Sequence, residues 1–341
     1  MTLVVIAGYK YVLKPVLVCF FYRVPRQPAN AQHLTTNVHS MPRQTKSFLI
    51  ERFREVGIQP ATRHGQNFLI DLNLQLLIVD SADLSPQDVV LEIGTGTGAL
   101  TALMAQRAGA VITVEIDGHL FELASELLLE HENVTMLKHD ALKNKNTFDQ
   151  RIMDAVGLEL AKDPTRRLKL VANLPYNIAT PVLSNMLTCE YIPHSMVATI
   201  QKELADRIVA RPWSKDYGAL SVWMQCQANT EIVRIMAPGV FWPPPKVESA
   251  IVRIVVDAER RAQVPDRHYF HQFVKAIFIH RRKFLRANIV AAMKAHLSKA
   301  EVDEAIAPMD FSPDTRTEQL DVPTLLKLTE LIRARAPEWT L

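Results

Sequence analysis

Asn173-Leu-Pro-Tyr176 places an amide, a rigid turn and a phenol ring in four consecutive residues. That set suits a flat base bearing an exocyclic amino group. The amino lone pair is delocalised into the ring, so the nitrogen is a poor nucleophile. Accepting hydrogen bonds from both amino hydrogens favours a tetrahedral nitrogen and aims its lone pair at an incoming methyl group. The Asn173 side-chain carbonyl and a main-chain carbonyl, that of Leu174, could fill this role. Pro175 stiffens the turn and cannot donate a competing N–H. Tyr176 can stack on a base taken out of its helix. Such a transfer is an in-line displacement in which positioning matters most. No strong base is needed beforehand, because the product nitrogen loses its proton easily. A plain turn at a strand end has the same composition, so the tetrapeptide acquires meaning only from its surroundings.

Those surroundings begin with Glu92-Ile-Gly-Thr-Gly-Thr-Gly-Ala-Leu-Thr101. Residues 88–93 form an apolar, β-branched run that reads as a buried parallel strand. Gly94, Gly96 and Gly98 permit a tight turn and close approach to a ligand. Ala99 to Gln106 reads as a helix, whose N-terminus would present N–H donors. A second strand, Ala110 to Ile116, leads into Glu115 and Asp117, where a carboxylate can hold two ribose hydroxyls. The spacing fits two cofactors. Gly94, Gly96 and Ala99 satisfy the dinucleotide fingerprint. Gly-x-Gly-x-Gly after an acidic residue reads as an S-adenosylmethionine loop. Glu92 favours the second, because a carboxylate repels a pyrophosphate yet can help organise a loop around a cationic sulfonium.

Two further strands complete the pattern. Val134 to Leu137 precedes Lys138-His-Asp140, which puts Asp140 at a strand end, where ligands lie in open α/β sheets. Asp140 can accept from an adenine amino group there, or simply cap the following turn. Leu168 to Ala172 runs directly into Asn173.

In this order the segments resemble the ribosomal RNA adenine dimethyltransferase family, in particular its small-subunit members. His64-Gly-Gln-Asn-Phe-Leu-Ile-Asp71 is similar to the family's amino-terminal Gln-Asn-Phe-Leu motif. Phe241-Trp-Pro-Pro-Pro-Lys-Val-Glu-Ser249 is similar to its Phe-x-Pro-Pro-Pro-Lys-Val-x-Ser stretch. The similarity runs from about residue 45 to the C-terminus. It implies an α/β fold, a Rossmann-like class I S-adenosylmethionine methyltransferase sheet with a smaller all-helical C-terminal domain. It implies dimethylation of the 6-amino groups of two adjacent adenosines in a hairpin loop near the 3′ end of small-subunit ribosomal RNA. Carried over by position, Asn67, Leu69, Gly94, Gly96, Glu115, Asp140 and Asn173 would contact the cofactor. Asn173, Leu174, Pro175 and Tyr176 would hold the target adenine. Phe68 would cover cofactor or base, or belong to the core.

Two segments depart from the pattern. The stretch between Asp140 and Asn173 is 32 residues, longer than expected, and residues 143–167 read as a polar helical insert near an RNA entrance. Residues 1–40 have no counterpart. Val4 to Tyr22 is apolar but broken by Lys10, Lys14 and Pro15, a poor transmembrane span. It lacks a small-residue cleavage site, so a signal peptide is not expected. Gln27 to Thr45 is polar and reads as disordered. Met41 precedes a helix read over Ser47 to Val56. Residues 1–40 are thus expected to be a poorly ordered extension. A true start at Met41 accounts for it most simply, and an organelle presequence is the alternative.

At 341 residues one large and one smaller domain are expected. Residues 41–257 would bind the cofactor and residues 258–341 the RNA. Cys19, Cys189 and Cys226 are scattered, so no disulfide framework or zinc site follows, and a reducing cytoplasm fits. The net charge of +3 is too small to argue for nucleic acid. His280-Arg-Arg-Lys283 with Arg286 is a compact basic cluster of the kind that contacts phosphates, or else a solvated helix face. Ala198 to Val209 reads as a helix, and Gly218 to Gln225 as a helix or a helix end. Ala228 to Met236 and Glu248 to Val256 alternate like antiparallel strands, and Pro243-Pro-Pro245 between them must be extended. Beyond Asp257 the pattern is helical to residue 334.

The expected activity is therefore an S-adenosylmethionine-dependent dimethyltransferase of ribosome biogenesis. It would act as a cytoplasmic monomer, without membrane contact, on the immature small subunit. The rivals are a large-subunit enzyme of the macrolide-resistance type, and an assembly or transcription factor of the same fold without catalysis. Leu174 and the Pro-Pro-Pro-Lys stretch weigh against the first. The intact Asn173, Tyr176 and Asp140 weigh against the second. A DNA adenine methyltransferase would more often carry Asp/Asn-Pro-Pro-Tyr.

Overall fold

A computed structural model describes residues 5–6, 9–10, 44–55, 57 and 66–341. In the unit formed by Met1–Ser40, Val5–Ile6 and Tyr9–Lys10 pair as antiparallel strands. The readings placed on residues 11–43, including Cys19 and a start at Met41, lie outside the described residues.

Within the unit Met41–Leu341, seven strands form one sheet. They are β1 (Asp88–Ile93), β2 (Ala110–Glu115), β3 (Val134–Lys138), β4 (Arg167–Asn173), β5 (Ser195–Gln201), β6 (Ala228–Met236) and β7 (Ser249–Val256). Their order across the sheet is β3-β2-β1-β4-β5-β7-β6. The first five are parallel, and β7 runs antiparallel to both neighbours. The chain moves outward from β1 to β3 and then returns to β4 beside β1. This reversal opens a crevice at the C-terminal ends of β1 and β4, where ligands bind in such sheets.

The sheet is buried on both faces, which explains the continuous apolar runs. Val89, Leu91 and Ile93 enter one core with Leu168, Leu170, Ile152 and Val156. Val90, Val111, Val171 and Val197 face the other, against Ile78, Val79, Leu103 and Met104 of helices Leu72–Ser81 and Ala99–Ala105. The first core continues through Phe270, Phe273, Leu325, Leu328 and Ile332 of the helical segment beyond residue 257. Tyr217 adds a bond across that boundary, its hydroxyl donating to Leu320 O at 2.9 Å.

Two readings are corrected. Residues 195–201 are strand β5, and only Lys202–Val209 is helical. Ser-Met-Val-Ala-Thr-Ile-Gln lies between β4 and β7, buried on both faces. It therefore shows no alternation to separate a strand from a helix start. Residues 143–167 are no appendage. Lys143 and Asn144 belong to a small hairpin, and Gln150–Leu160 is the crossover helix that joins parallel strands β3 and β4. It buries Ile152, Met153, Ala155 and Val156. A parallel pair needs such a connection.

Candidate active site

The glycine turn leaves β1 in a conformation that side chains resist. Gly94, Gly96 and Gly98 have φ of +86°, +57° and +80°, in the left-handed region open to glycine. A methyl group on Gly94 would stand 3.3 Å from Pro175 Cδ, and one on Gly96 would stand 3.4 Å from the Phe68 ring. The turn is thus wedged between Asn-Leu-Pro-Tyr and Gln-Asn-Phe-Leu, two segments far apart in sequence.

Glu115 closes the turn from β2. Its Oε2 accepts the Gly96 N–H at 2.9 Å, and Oε1 accepts the N–H groups of Ile116 and Asp117 at 3.0 Å each. Burial raises its carboxyl pKa, against the pull of these N–H groups. Asp117 has a different task. It caps helix Gly118–Leu128 by accepting from His119 and Leu120, and Gln66 donates to its other oxygen at 3.4 Å.

Glu92 does not act as the charged organiser the sequence suggested. It is buried, and its Oε2 accepts from Thr101 at 2.5 Å and Thr113 at 2.6 Å. Burial pushes its carboxyl up to about 8, so it is mostly protonated at neutral pH. It ties the floor of the glycine turn to β2 and to the following helix.

Asn173 ends β4 beside the turn. Its Nδ2 donates to the main-chain carbonyl of Asn67 at 2.9 Å. With the nitrogen engaged, Oδ1 is the acceptor offered to a ligand. The Leu174 side chain is buried, and its N–H donates to Thr199 O at 3.2 Å. Tyr176 is half-buried, and its hydroxyl lies 2.6 Å from Ser249 Oγ at the start of β7. Burial raises the Tyr176 pKa, leaving the phenol neutral.

The remaining candidates divide. Phe68–Leu69 pairs with Phe241–Trp242 as a two-residue ribbon, which joins the two outlying motifs. Phe68 is a core residue, edge-on to Phe53 with ring centroids 5.2 Å apart. Its ring backs Gly96. The Leu69 side chain is buried and its carbonyl accepts from Gln75 at 2.6 Å. Asp140 is exposed at the end of β3, two strands from β1, and caps its own turn through the Leu142 N–H at 3.0 Å. Among the described residues no cluster of His, Cys, Asp and Glu could hold a metal, and no helix is long and apolar enough to cross a membrane.

Two residues went unread in the sequence. Ile116 is 53% exposed between Glu115 and Asp117. An apolar residue flanked by carboxylates at a strand end was the available signal. Ser249 lies at the end of the Pro-Pro-Pro-Lys stretch, and no local pattern announces its bond to Tyr176. Of the basic cluster, Arg286 is paired with Asp303 at 2.5 and 2.7 Å. Residues 280–283 form an exposed turn rather than a helix face.

The model of the family described as ribosomal RNA adenine dimethylase matches residues 58–320. The chain belongs to this family. Among curated proteins it is 37% identical to the ribosomal RNA small subunit methyltransferase A of Pediococcus pentosaceus, over 86% of this chain and 95% of that protein. It is 39% identical to the protein of the same name from Lactiplantibacillus plantarum, over 81% and 91%. The fold is similar to that of a dimethyladenosine transferase from Plasmodium falciparum, with a TM-score of 0.66, 22% identity and coverage of 79% and 98%. It is also similar to that of the 23S rRNA methyltransferase ErmE, with a TM-score of 0.56, 24% identity and coverage of 78% and 99%.

Membership in the dimethylase family brings S-adenosylmethionine as cofactor, and the site suits it. Glycine at 94 and 96 lets the turn at the end of β1 pack closely against Pro175 and Phe68 without a side chain between them. Glu115 and the exposed Ile116 stand at its rim as a polar acceptor and an apolar surface. S-adenosylmethionine supplies a methyl group on a positively charged sulfur.

Proposed function

We propose that the protein transfers methyl groups from S-adenosylmethionine to the 6-amino groups of adenosines in small-subunit ribosomal RNA. The observation that carries this reading is the bond from Asn173 Nδ2 to the Asn67 carbonyl, 2.9 Å. It turns Oδ1 into a fixed acceptor beside the glycine turn. In this reading Oδ1 and the Leu174 carbonyl accept the two amino hydrogens of the adenine. Tyr176, steadied by Ser249, stacks on the base. Pro175 sets the distance between this acceptor pair and Gly94. Glu115 would accept from the ribose of the cofactor, Ile116 would offer an apolar surface to its adenine, and Asn67, Leu69, Gly96 and Asp140 would complete the pocket. The bound cofactor would supply the methyl group from its sulfonium, with the carbon–sulfur bond breaking as the amino nitrogen, held by Oδ1 and the Leu174 carbonyl, takes it up and then gives a proton to water.

The finer substrate follows the same reading. Two adjacent adenosines in a hairpin near the 3′ end each receive two methyl groups, on the immature small subunit, by a monomer in the cytoplasm. The helical segment 258–341 carries RNA contacts. The bonded amide of Asn173 favours catalysis over a purely architectural role in assembly.

The test is incubation with radiolabelled S-adenosylmethionine and, in parallel, unmethylated small and large ribosomal subunits, followed by digestion to nucleosides. Dimethyladenosine at two adjacent positions is the expected product. Label confined to large-subunit RNA would replace this reading with the resistance-type enzyme. Cofactor binding without transfer would replace it with an assembly factor.

A further inference from the structure

Trp213 is 74% exposed, more than any other large apolar side chain among the described residues. Its φ is +73°. A bulky residue in the left-handed region is strained, and such strain persists only where the surroundings enforce it. Here they do. The Trp213 N–H donates to Glu318 O at 2.8 Å, and the Ser214 N–H and hydroxyl both donate to Arg211 O, at 3.1 and 2.7 Å. The Arg281 guanidinium bonds the Ser214 carbonyl at 3.3 Å and also the Lys215 carbonyl. Glycine would meet this backbone without strain. The chain instead carries its largest apolar side chain there and leaves it in water.

Arg281 also pins this turn to the basic loop 279–284. Arg211, Lys215, Arg281, Arg282 and Lys283 are exposed around it. The acidic residues near these stretches are Asp216, whose charge acts on Lys202, Asp314, which is exposed and accepts from the Ser312 hydroxyl, and Glu318, which is half-buried. Ile279 and Phe284 flank the basic loop at 61% and 45% exposure, and Arg316 lies 5.8 Å over the Phe284 ring. Protein–protein contacts are depleted of charge at their centres. Nucleic acid contacts instead combine cations for phosphates with flat rings on which bases stack.

We propose that Trp213 stacks on an unpaired nucleotide of the RNA substrate, while Arg211, Lys215 and the 281–283 cations hold the flanking phosphates. The inference rests on ribosomal RNA being the substrate. It adds a docking contact away from the residues that hold the target adenine.

The experiment compares wild type, Trp213→Gly and Trp213→Phe on unmethylated small ribosomal subunits. Trp213→Gly is expected to melt no lower than wild type, because glycine accepts this φ, and to bind S-adenosylmethionine normally. Its KM for subunits should rise about tenfold with kcat retained, the scale of one lost base stack. The slope of log affinity against log salt should stay unchanged, whereas Lys283→Ala should lower it by about one. Trp213→Phe should recover most of the affinity. A stable Trp213→Gly protein with wild-type KM would overturn the stacking role and leave the substrate reading intact. A wild-type protein that neither binds nor methylates small-subunit RNA would overturn both.

Discussion

Asn173 and Asn67 are 106 residues apart, and the side-chain amide of the first donates to the main-chain carbonyl of the second at 2.9 Å. Asn173→Ala should lower kcat by about 10² or more, while cofactor affinity falls less, because the lost acceptor acts mainly in the transition state. Asn173→Asp should be nearly as slow despite its shape, since a carboxylate cannot donate to the Asn67 carbonyl. Single-turnover methylation with either variant at the wild-type rate would remove the assignment.

Gly94 and Pro175 form a second contact of this kind. Gly94→Ala forces a side chain into φ +86° and places its methyl 3.3 Å from Pro175 Cδ. It should cost about 1–2 kcal/mol of stability and cut turnover at least tenfold, by displacing the acceptor pair. Equilibrium denaturation and turnover at saturating cofactor check the two parts separately.

Glu115 organises the turn through three N–H groups before any ligand arrives. Glu115→Ala should therefore weaken cofactor binding, both by removing the proposed ribose acceptor and by loosening Gly96. Titration calorimetry showing unchanged affinity would contradict both roles.

Glu92 predicts a pH dependence of stability. Burial raises its pKa from 4.5 to about 8. The folded protein then keeps a proton that the unfolded chain releases above pH 4.5. Its contribution is most favourable below pH 4.5 and declines as pH rises to about 8, by up to a few kcal/mol. Glu92→Gln mimics the protonated form and should lack this slope, while accepting the Thr101 and Thr113 hydroxyls as before. Denaturation of both proteins at pH 5 and pH 8 is the check, and parallel losses would show that Glu92 does not titrate in this window.

Ser249 positions Tyr176 through a 2.6 Å contact between hydroxyls. Ser249→Ala and Tyr176→Phe should each slow transfer about 3- to 10-fold, and the double variant should be little worse than either, because they break one shared bond. Fully multiplicative effects would separate the two residues.

Much of this site could be read along the chain. Residues 88–93 read as a strand along the chain and are one, because the run is mostly apolar and β-branched and ends where the glycines begin. Strands β6 and β7 showed themselves by alternation. The misread segments were those whose pattern has two solutions. Ser195–Gln201 is buried on both faces, shows no alternation and runs directly into a helix. Gln150–Leu160 hides a buried stripe of Ile152, Met153 and Val156 among polar residues, and so looked like an insertion.

The sequence by itself determined the kind of chemistry. Glycines at φ-demanding positions, a proline without an N–H and an amide able to accept are properties of single residues and short spacings. Tertiary structure alone decided how those groups are used. Asn67 orients the Asn173 amide, burial beside two threonines neutralises Glu92, and contacts from Glu318 and Arg281 hold the Trp213 turn with its indole in solvent. Hydrogen-bond direction, protonation and exposure all depend on neighbours that folding brings from distant parts of the chain.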